Sequence, residues 1–206
     1  MKLLLFLSLC LAGCSSSPTQ QKTVLKDSIP SDTTQNALII ARERASTLKV
    51  FDTLGELVST IHFRVAVADS ISKDGYLPYI GIEYPEKEIR NLFDKNEKVI
   101  DENKITIIID YPLNHSYKGE FKSTNGFTRL SLINEISKTY HQLYSEEEKT
   151  ATVKTLPLSK RKIYNRNETN GKYGIWGHDL GDLVLADVLV YRNSSGEITI
   201  TLEVES

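Results

Sequence analysis

A thirteen-residue stretch near the end of the chain holds the residues best suited to chemistry. The stretch, GKYGIWGHDLGDL at residues 171–183, contains one histidine and two aspartates, namely His178, Asp179 and Asp182. On a short helical turn, His178 and Asp182 lie four residues apart and therefore face the same side. An imidazole with two carboxylates can provide a base and its orienting acid, or can contribute ligands to a divalent metal. A metal site needs further ligands from elsewhere, so no metal is predicted here.

The same stretch can also be interpreted as a structural corner. Its four glycines allow sharp turns and close packing beneath Trp176, the only tryptophan of the chain. In this interpretation Asp179 caps the turn, and His178 donates to a backbone carbonyl or pairs with Asp182. The composition favours a buried corner that docks the C-terminal hairpin onto the sheet, with Trp176 as its apolar anchor.

Two further features bear on function. Glu83 and Asp110 each close an apolar run, IGIEYP and IIIDYP, and would form an acid–base pair if those strands were neighbours. Otherwise they are solvated strand ends. The motifs GxSxG, HExxH and GxxxxGK[ST] are absent from the sequence. The ten tyrosines suggest an exposed aromatic surface for binding.

The elements that position these residues indicate an α+β fold, mostly antiparallel sheet. Thr128 is a suitable N-cap, and apolar residues recur at helical spacing from Leu130 to Leu143, which predicts one long amphipathic helix over about 128–145. The segment Ser145–Glu148 either adds a further turn or forms a solvated loop. Alternating strands joined at Asn193–Gly196 predict a C-terminal β-hairpin.

The first residues form a short positive start, an apolar run and the tetrapeptide Leu11-Ala12-Gly13-Cys14. This arrangement resembles the signal peptide and lipobox of bacterial lipoproteins. The resemblance implies cleavage before Cys14 and attachment of lipid, such as palmitate-containing diacylglycerol, to its sulfur. Cys10 is then removed with the signal peptide, so the mature chain has no free thiol and no disulfide.

The predicted organisation has three parts: a signal peptide at 1–13, a flexible tether at 14–31 and a single globular domain at 32–206. The resemblance implies a lipid-anchored protein of the cell envelope, and Ser15 favours the outer membrane, with the domain facing the periplasm. A net charge of −2 without a predicted basic cluster argues against binding of nucleic acid.

The sequence therefore predicts a non-catalytic module that binds another envelope protein or polymer and contacts the membrane through its covalent lipid. No cofactor is predicted. The alternative is an envelope hydrolase or metal-dependent enzyme that uses His178, Asp179 and Asp182. The sequence favours a protein that is not an enzyme and leaves the enzymatic alternative open.

Overall fold

A computed structural model describes residues 37–43 and 54–206 of the chain. The predicted signal peptide, the lipobox at Cys14 and the tether lie outside these residues. The described part is a mixed α+β structure with a mostly antiparallel sheet, as predicted, and two α-helices. Helix α1 comprises residues 37–43. Within residues 37–43 and 54–206, no helix is both long and apolar enough to cross a bilayer.

The main sheet has the strand order β1-β9-β10-β6-β7, and β4 pairs with the beginning of β9. Its strands are β1 (Glu56–His62), β4 (Ile80–Gly81), β6 (Lys104–Ile109), β7 (Tyr117–Lys122), β9 (Val184–Arg192) and β10 (Ile198–Glu205). The strands pair antiparallel except β6 and β10, which are parallel. Two small sheets pair β2 (Val65–Ala66) with β3 (Tyr76–Leu77), and β5 (Lys98–Ile100) with β8 (Phe127–Thr128).

The predicted C-terminal hairpin is confirmed as β9 and β10. The Asn193 side chain accepts hydrogen bonds from the backbone N–H groups of Ser195 and Glu197, which closes the turn. Gly196 adopts a φ of 83°, a conformation that residues with a Cβ rarely adopt. The hairpin occupies the middle of the sheet, because β9 pairs with β1 and β10 pairs with β6.

Helix α2 runs from Arg129 to Thr150, five residues beyond the predicted end. Thr128 caps its start, since its hydroxyl accepts from the Ser131 N–H while the Ser131 hydroxyl accepts from the Thr128 N–H. The helix packs on the core through its buried apolar residues, which are Leu132, Ile133, Ile136, Tyr140 and Leu143. The loop alternative for Ser145–Glu148 is wrong, because these residues form the last turns of α2.

The condition for a pair of Glu83 and Asp110, that their strands be neighbours, is not met. Strand β4 precedes Glu83 and pairs with β9, whereas β6 precedes Asp110 and pairs with β10 and β7. Strands β9 and β10 therefore separate the two runs. Asp110 instead accepts a short hydrogen bond from the Ser116 hydroxyl.

Candidate functional site

The stretch 171–183 follows the long loop after α2, leads into β9 and lies mostly inside the protein. Residues 173–178 and Leu180 are buried. Its backbone binds the segment after β6, because the Trp176 N–H donates to the Pro112 carbonyl and the Asn114 N–H donates to the Tyr173 carbonyl. The stretch is thus held against this segment and against α2, in addition to continuing into the hairpin.

Glu147 on α2 is the residue that fastens the stretch to the helix. Its side chain is fully buried. One carboxylate oxygen accepts from the Gly171 N–H at 2.7 Å, and the other accepts from the N–H groups of Tyr173 at 2.8 Å and Gly174 at 3.2 Å. Burial raises the pKa of this carboxyl, but hydrogen bonds from Thr169 and these backbone groups outweigh that effect and lower the pKa below its ordinary value.

Gly171 is required by the close approach of this carboxylate. A Cβ at position 171 would lie 2.7 Å from the carboxyl carbon of Glu147, which is closer than van der Waals contact permits. The glycine therefore lets the backbone reach the charged group directly. The contact with Glu147 therefore explains why position 171 is a glycine.

Asp179 is neutralised by two arginines. Arg161 donates two hydrogen bonds to its carboxylate, at 2.6 and 3.0 Å, and the Nε of Arg166 lies 3.6 Å from Oδ1. Both guanidinium side chains are buried, with 6% and 4% exposed, so the aspartate provides charge that they need inside the protein. Burial lowers the pKa of Arg166, while the charges of Tyr144 and Asp179 oppose this effect. The carboxylate of Asp179 therefore binds buried arginines of the protein itself.

His178 is also buried and contacts groups from both ends of the described chain. Its Nε2 lies 3.1 Å from a carboxylate oxygen of Glu43 on α1 and 3.5 Å from the hydroxyl of Ser206. Burial lowers the pKa of the imidazole, and the charge of Glu43 opposes that shift. A serine–histidine–acid relay uses the two opposite ring nitrogens, whereas here the acid and the hydroxyl face the same nitrogen. The arrangement does not form such a relay.

Tyr111 completes the surroundings of His178 without adding a reactive group. Its ring centre lies 5.4 Å from that of His178, and its hydroxyl shares a 2.9 Å hydrogen bond with Ser206. Burial raises the pKa of Tyr111 to about 12, although the hydrogen bond with Ser206 lowers it. The phenol is protonated at neutral pH and therefore cannot serve there as a phenolate base.

Asp182 makes a local contact of its own. Its carboxylate accepts a 2.8 Å hydrogen bond from the Asp179 N–H and stabilises the short 3₁₀ helix Leu180–Asp182. The suggested pairing of His178 with Asp182 is wrong, because Glu43 is the partner of His178. The three candidate residues are close in sequence, but each side chain binds a different partner: Glu43 for His178, Arg161 for Asp179 and the Asp179 N–H for Asp182. Within the described residues, no three or more His, Cys, Asp or Glu side chains are arranged to hold a metal ion.

Trp176 joins the stretch to α1. Its side chain is 4% exposed, and its ring meets the ring of Tyr111 edge to face at a centre distance of 5.4 Å. The guanidinium of Arg42 on α1 lies 5.7 Å from the indole centre and also donates two hydrogen bonds to Glu168. Helix α1 therefore covers the outer side of Trp176 and His178.

The predicted aromatic surface is wrong in its extent. Of the ten tyrosines, all of which lie within the described residues, only Tyr84 and Tyr164 are exposed. The rest are buried or half-buried, as Tyr140 and Tyr173 illustrate. A surface depression of about 570 Å³ is lined by Leu92 and residues 94–97, and it includes none of the three candidate residues.

Sequence reasoning missed the partners Glu43, Glu147, Arg161 and Arg166. For Glu147 a signal was present, because the buried positions 136, 140 and 143 continue with the same helical spacing to 147. The two arginines lie in a long loop without periodicity, so no pattern in the sequence indicates that they meet Asp179.

Comparison of the chain with protein-family models, curated proteins and solved structures finds no match.

Proposed function

We propose that this chain is a lipid-anchored protein of the bacterial envelope whose domain is a non-catalytic module that binds another envelope protein or polymer. The observation that carries the non-catalytic part is the engagement of His178, Asp179 and Asp182 by the protein's own groups. Each side chain has an internal partner that stabilises the fold. The same contacts weigh against the alternative of a hydrolase or metal-dependent enzyme built on these residues.

The anchoring part of the proposal is supported by the resemblance of residues 1–14 to a lipoprotein signal sequence. The domain part is supported by a scaffold in which α2, proposed to be amphipathic, packs on the same core as the sheet. Its buried residues recur every three or four positions, while Asn134 and Lys138 are exposed. A rigid scaffold of this kind can present loops to a partner.

Lipid attachment is tested at Cys14. Cys14→Ala is expected to leave uncleaved precursor and to abolish incorporation of radioactive palmitate, because the thioether-forming sulfur is removed. Cys10→Ala is the matched control, since it removes a cysteine from the apolar run without touching the lipobox. Electrophoresis of labelled cells and fractionation of membranes give the readout. Normal processing and labelling of Cys14→Ala would refute the anchoring proposal.

The non-catalytic part is tested with the purified protein and isolated cell-wall polymer. We expect the protein to sediment with the polymer, or to be cross-linked to an envelope protein in cells, without releasing soluble fragments. His178→Gln is expected to retain this binding, because the imidazole contributes packing and a contact with Glu43. Release of fragments by the wild type that disappears in His178→Gln would establish the hydrolase instead.

A further inference from the structure

The segment at residues 149–166 is a basic region in a chain whose net charge is −2. It contains six basic residues and no acidic one: Lys149, Lys154, Lys160, Arg161, Lys162 and Arg166. The expectation that the chain has no basic cluster is therefore wrong. The near-balanced charge of the whole sequence conceals this local excess.

Three of these charges, on Lys149, Lys160 and Lys162, are exposed and without an ion pair in the described part of the chain, and two of them lie close together. Arg161 and Arg166 are buried against Asp179, and Lys154 lies 3.8 Å from a carboxylate oxygen of Glu148. Lys160 and Lys162 are exposed, and their side chains form no ion pair or hydrogen bond with any residue in the described part of the chain. Among residues 37–43 and 54–206, no carboxylate neutralises these two charges.

Apolar side chains accompany these two lysines on the same loop. Leu156 is 44% exposed, Leu158 is 56% exposed and Tyr164 is 74% exposed. Single exposed apolar residues are ordinary, but here three of them occur within nine positions that also contain two exposed lysines without an ion pair in the described residues. We name Leu156, Leu158, Lys160, Lys162 and Tyr164 the basic–apolar loop.

The loop backbone is held in place from inside. The Leu156 N–H donates to the Asn167 side chain, and the Arg161 Nε donates to the Leu156 carbonyl. Arg161 also donates to the Tyr164 carbonyl, and the same guanidinium binds Asp179. The exposed side chains therefore project from a backbone that is held by hydrogen bonds.

We propose that the basic–apolar loop docks onto the surface of a bilayer that contains anionic phospholipid. Lysines at the surface attract lipid phosphate groups, leucines enter the boundary of the acyl region, and a tyrosine suits the interface between the two. Contacts with nucleic-acid phosphates or an acidic protein surface would use the lysines but would leave the side chains of Leu156 and Leu158 exposed to water. The combination of side chains therefore favours lipid.

This inference rests on the proposed function, because a lipid anchor would hold the domain beside a membrane. Tethering raises the effective concentration of the loop at that membrane, so a modest affinity of the loop is sufficient. A basic patch combined with an acyl anchor is a known physical route to stable attachment. The loop would also fix which side of the domain faces the bilayer.

The test uses a chain that begins at Ser15 and therefore lacks the lipid. Within residues 37–43 and 54–206, all buried residues of the hydrophobic core lie between Ile61 and Ile200, and this chain keeps them. Sedimentation is measured with vesicles of phosphatidylglycerol and phosphatidylethanolamine, and with vesicles of phosphatidylcholine alone. We expect binding to the anionic vesicles that weakens with added salt, and much weaker binding to the neutral vesicles.

Three variants locate the binding surface. The double variant Lys160→Ala/Lys162→Ala is expected to bind about thirtyfold more weakly, since each lysine at an anionic surface contributes roughly a fivefold effect. The matched control Lys118→Ala/Lys122→Ala removes the same charge from exposed positions on β7 and should bind as the wild type does. Leu158→Ser should weaken binding while its dependence on salt is retained.

Equal losses in the two double variants would overturn the proposal, because they would indicate general attraction of the whole domain. Absence of binding to anionic vesicles, or equal binding to neutral ones, would also overturn it. Capture of an acidic protein by the loop without vesicle binding would replace lipid by protein as the partner. Because the tested chain carries no lipid, a failure of the Cys14 experiment leaves this result unaffected, and the reverse also holds.

Discussion

Replacing Glu147 with glutamine is expected to lower the free energy of unfolding by about 2–4 kcal/mol. The two carboxylate oxygens accept from three backbone N–H groups, the part-buried one of Gly171 and the buried ones of Tyr173 and Gly174. A glutamine has one acceptor and one donor end, so at least one of these N–H groups would face an NH₂ group. Urea or thermal unfolding measures the loss.

Glu148→Gln is the matched control for this prediction. Glu148 is the adjacent acid on α2, is exposed, and makes one surface ion pair with Lys154. Surface pairs of this kind contribute little, so its replacement should change stability by less than about 0.5 kcal/mol. Similar losses in the two variants would contradict the view that Glu147 fastens the stretch to the helix.

The difference between Glu147→Gln and the wild type should depend on pH. Because the folded protein lowers the pKa of this carboxyl below 4.5, the carboxylate stabilises the fold fully only above that pH. The contribution is lost as the pH falls from 4.5 through the lowered pKa. The stability curves of the variant and the wild type should therefore converge in acid. A constant gap down to low pH would argue against the ionised carboxylate as the source of the effect.

Trp176→Ala is expected to lower the free energy of unfolding by about 3–5 kcal/mol, the usual range for emptying a large aromatic site. The indole is almost fully buried, and its removal leaves Tyr111 without its edge-to-face neighbour and Arg42 without the ring beneath it. Tyr164→Ala truncates an aromatic that is 74% exposed and should change stability by less than about 1 kcal/mol.

His178→Ala separates the structural interpretation of this region from the catalytic one. We expect a loss of about 1–3 kcal/mol, smaller than that of Trp176→Ala, because a buried hydrogen-bonding group is removed. A catalytic histidine in an open cleft would instead be replaced with little effect on stability and a complete loss of activity. The structural interpretation would be wrong if His178→Ala unfolded at the same denaturant concentration as the wild type and lost a hydrolytic activity that the wild type has.

The parts of the fold that follow from local patterns could be predicted from the sequence. Helix α2 was indicated by the Thr128 cap and the spacing of its apolar residues, and the β9–β10 hairpin was indicated by alternation around Asn193–Gly196. The end of α2 was predicted too early, because three consecutive glutamates suggested solvent. The helical period continues through them, and one of the three points inward.

The contacts of the candidate site could not be predicted in the same way. Arg161 and Asp179 are 18 residues apart, and Glu43 and His178 are 135 residues apart, with no repeating pattern between them. Their pairing depends on how loops cross in space. The parallel pairing of β6 with β10 is equally non-local, because neither strand carries a feature that selects the other.

The central place of the β9–β10 hairpin has a consequence for how the chain acquires its structure. Strand β1 meets the pair β6–β7 only through this hairpin, and Thr106 pairs with Thr199 across about 90 residues of chain. A chain emerging from the ribosome therefore has no complete sheet until residues 184–205 are synthesised. Long-range pairing of this kind makes folding slow and leaves strand edges open meanwhile. If the proposed signal peptide directs the chain through a membrane channel, slow pairing of this kind favours passage before the sheet is complete.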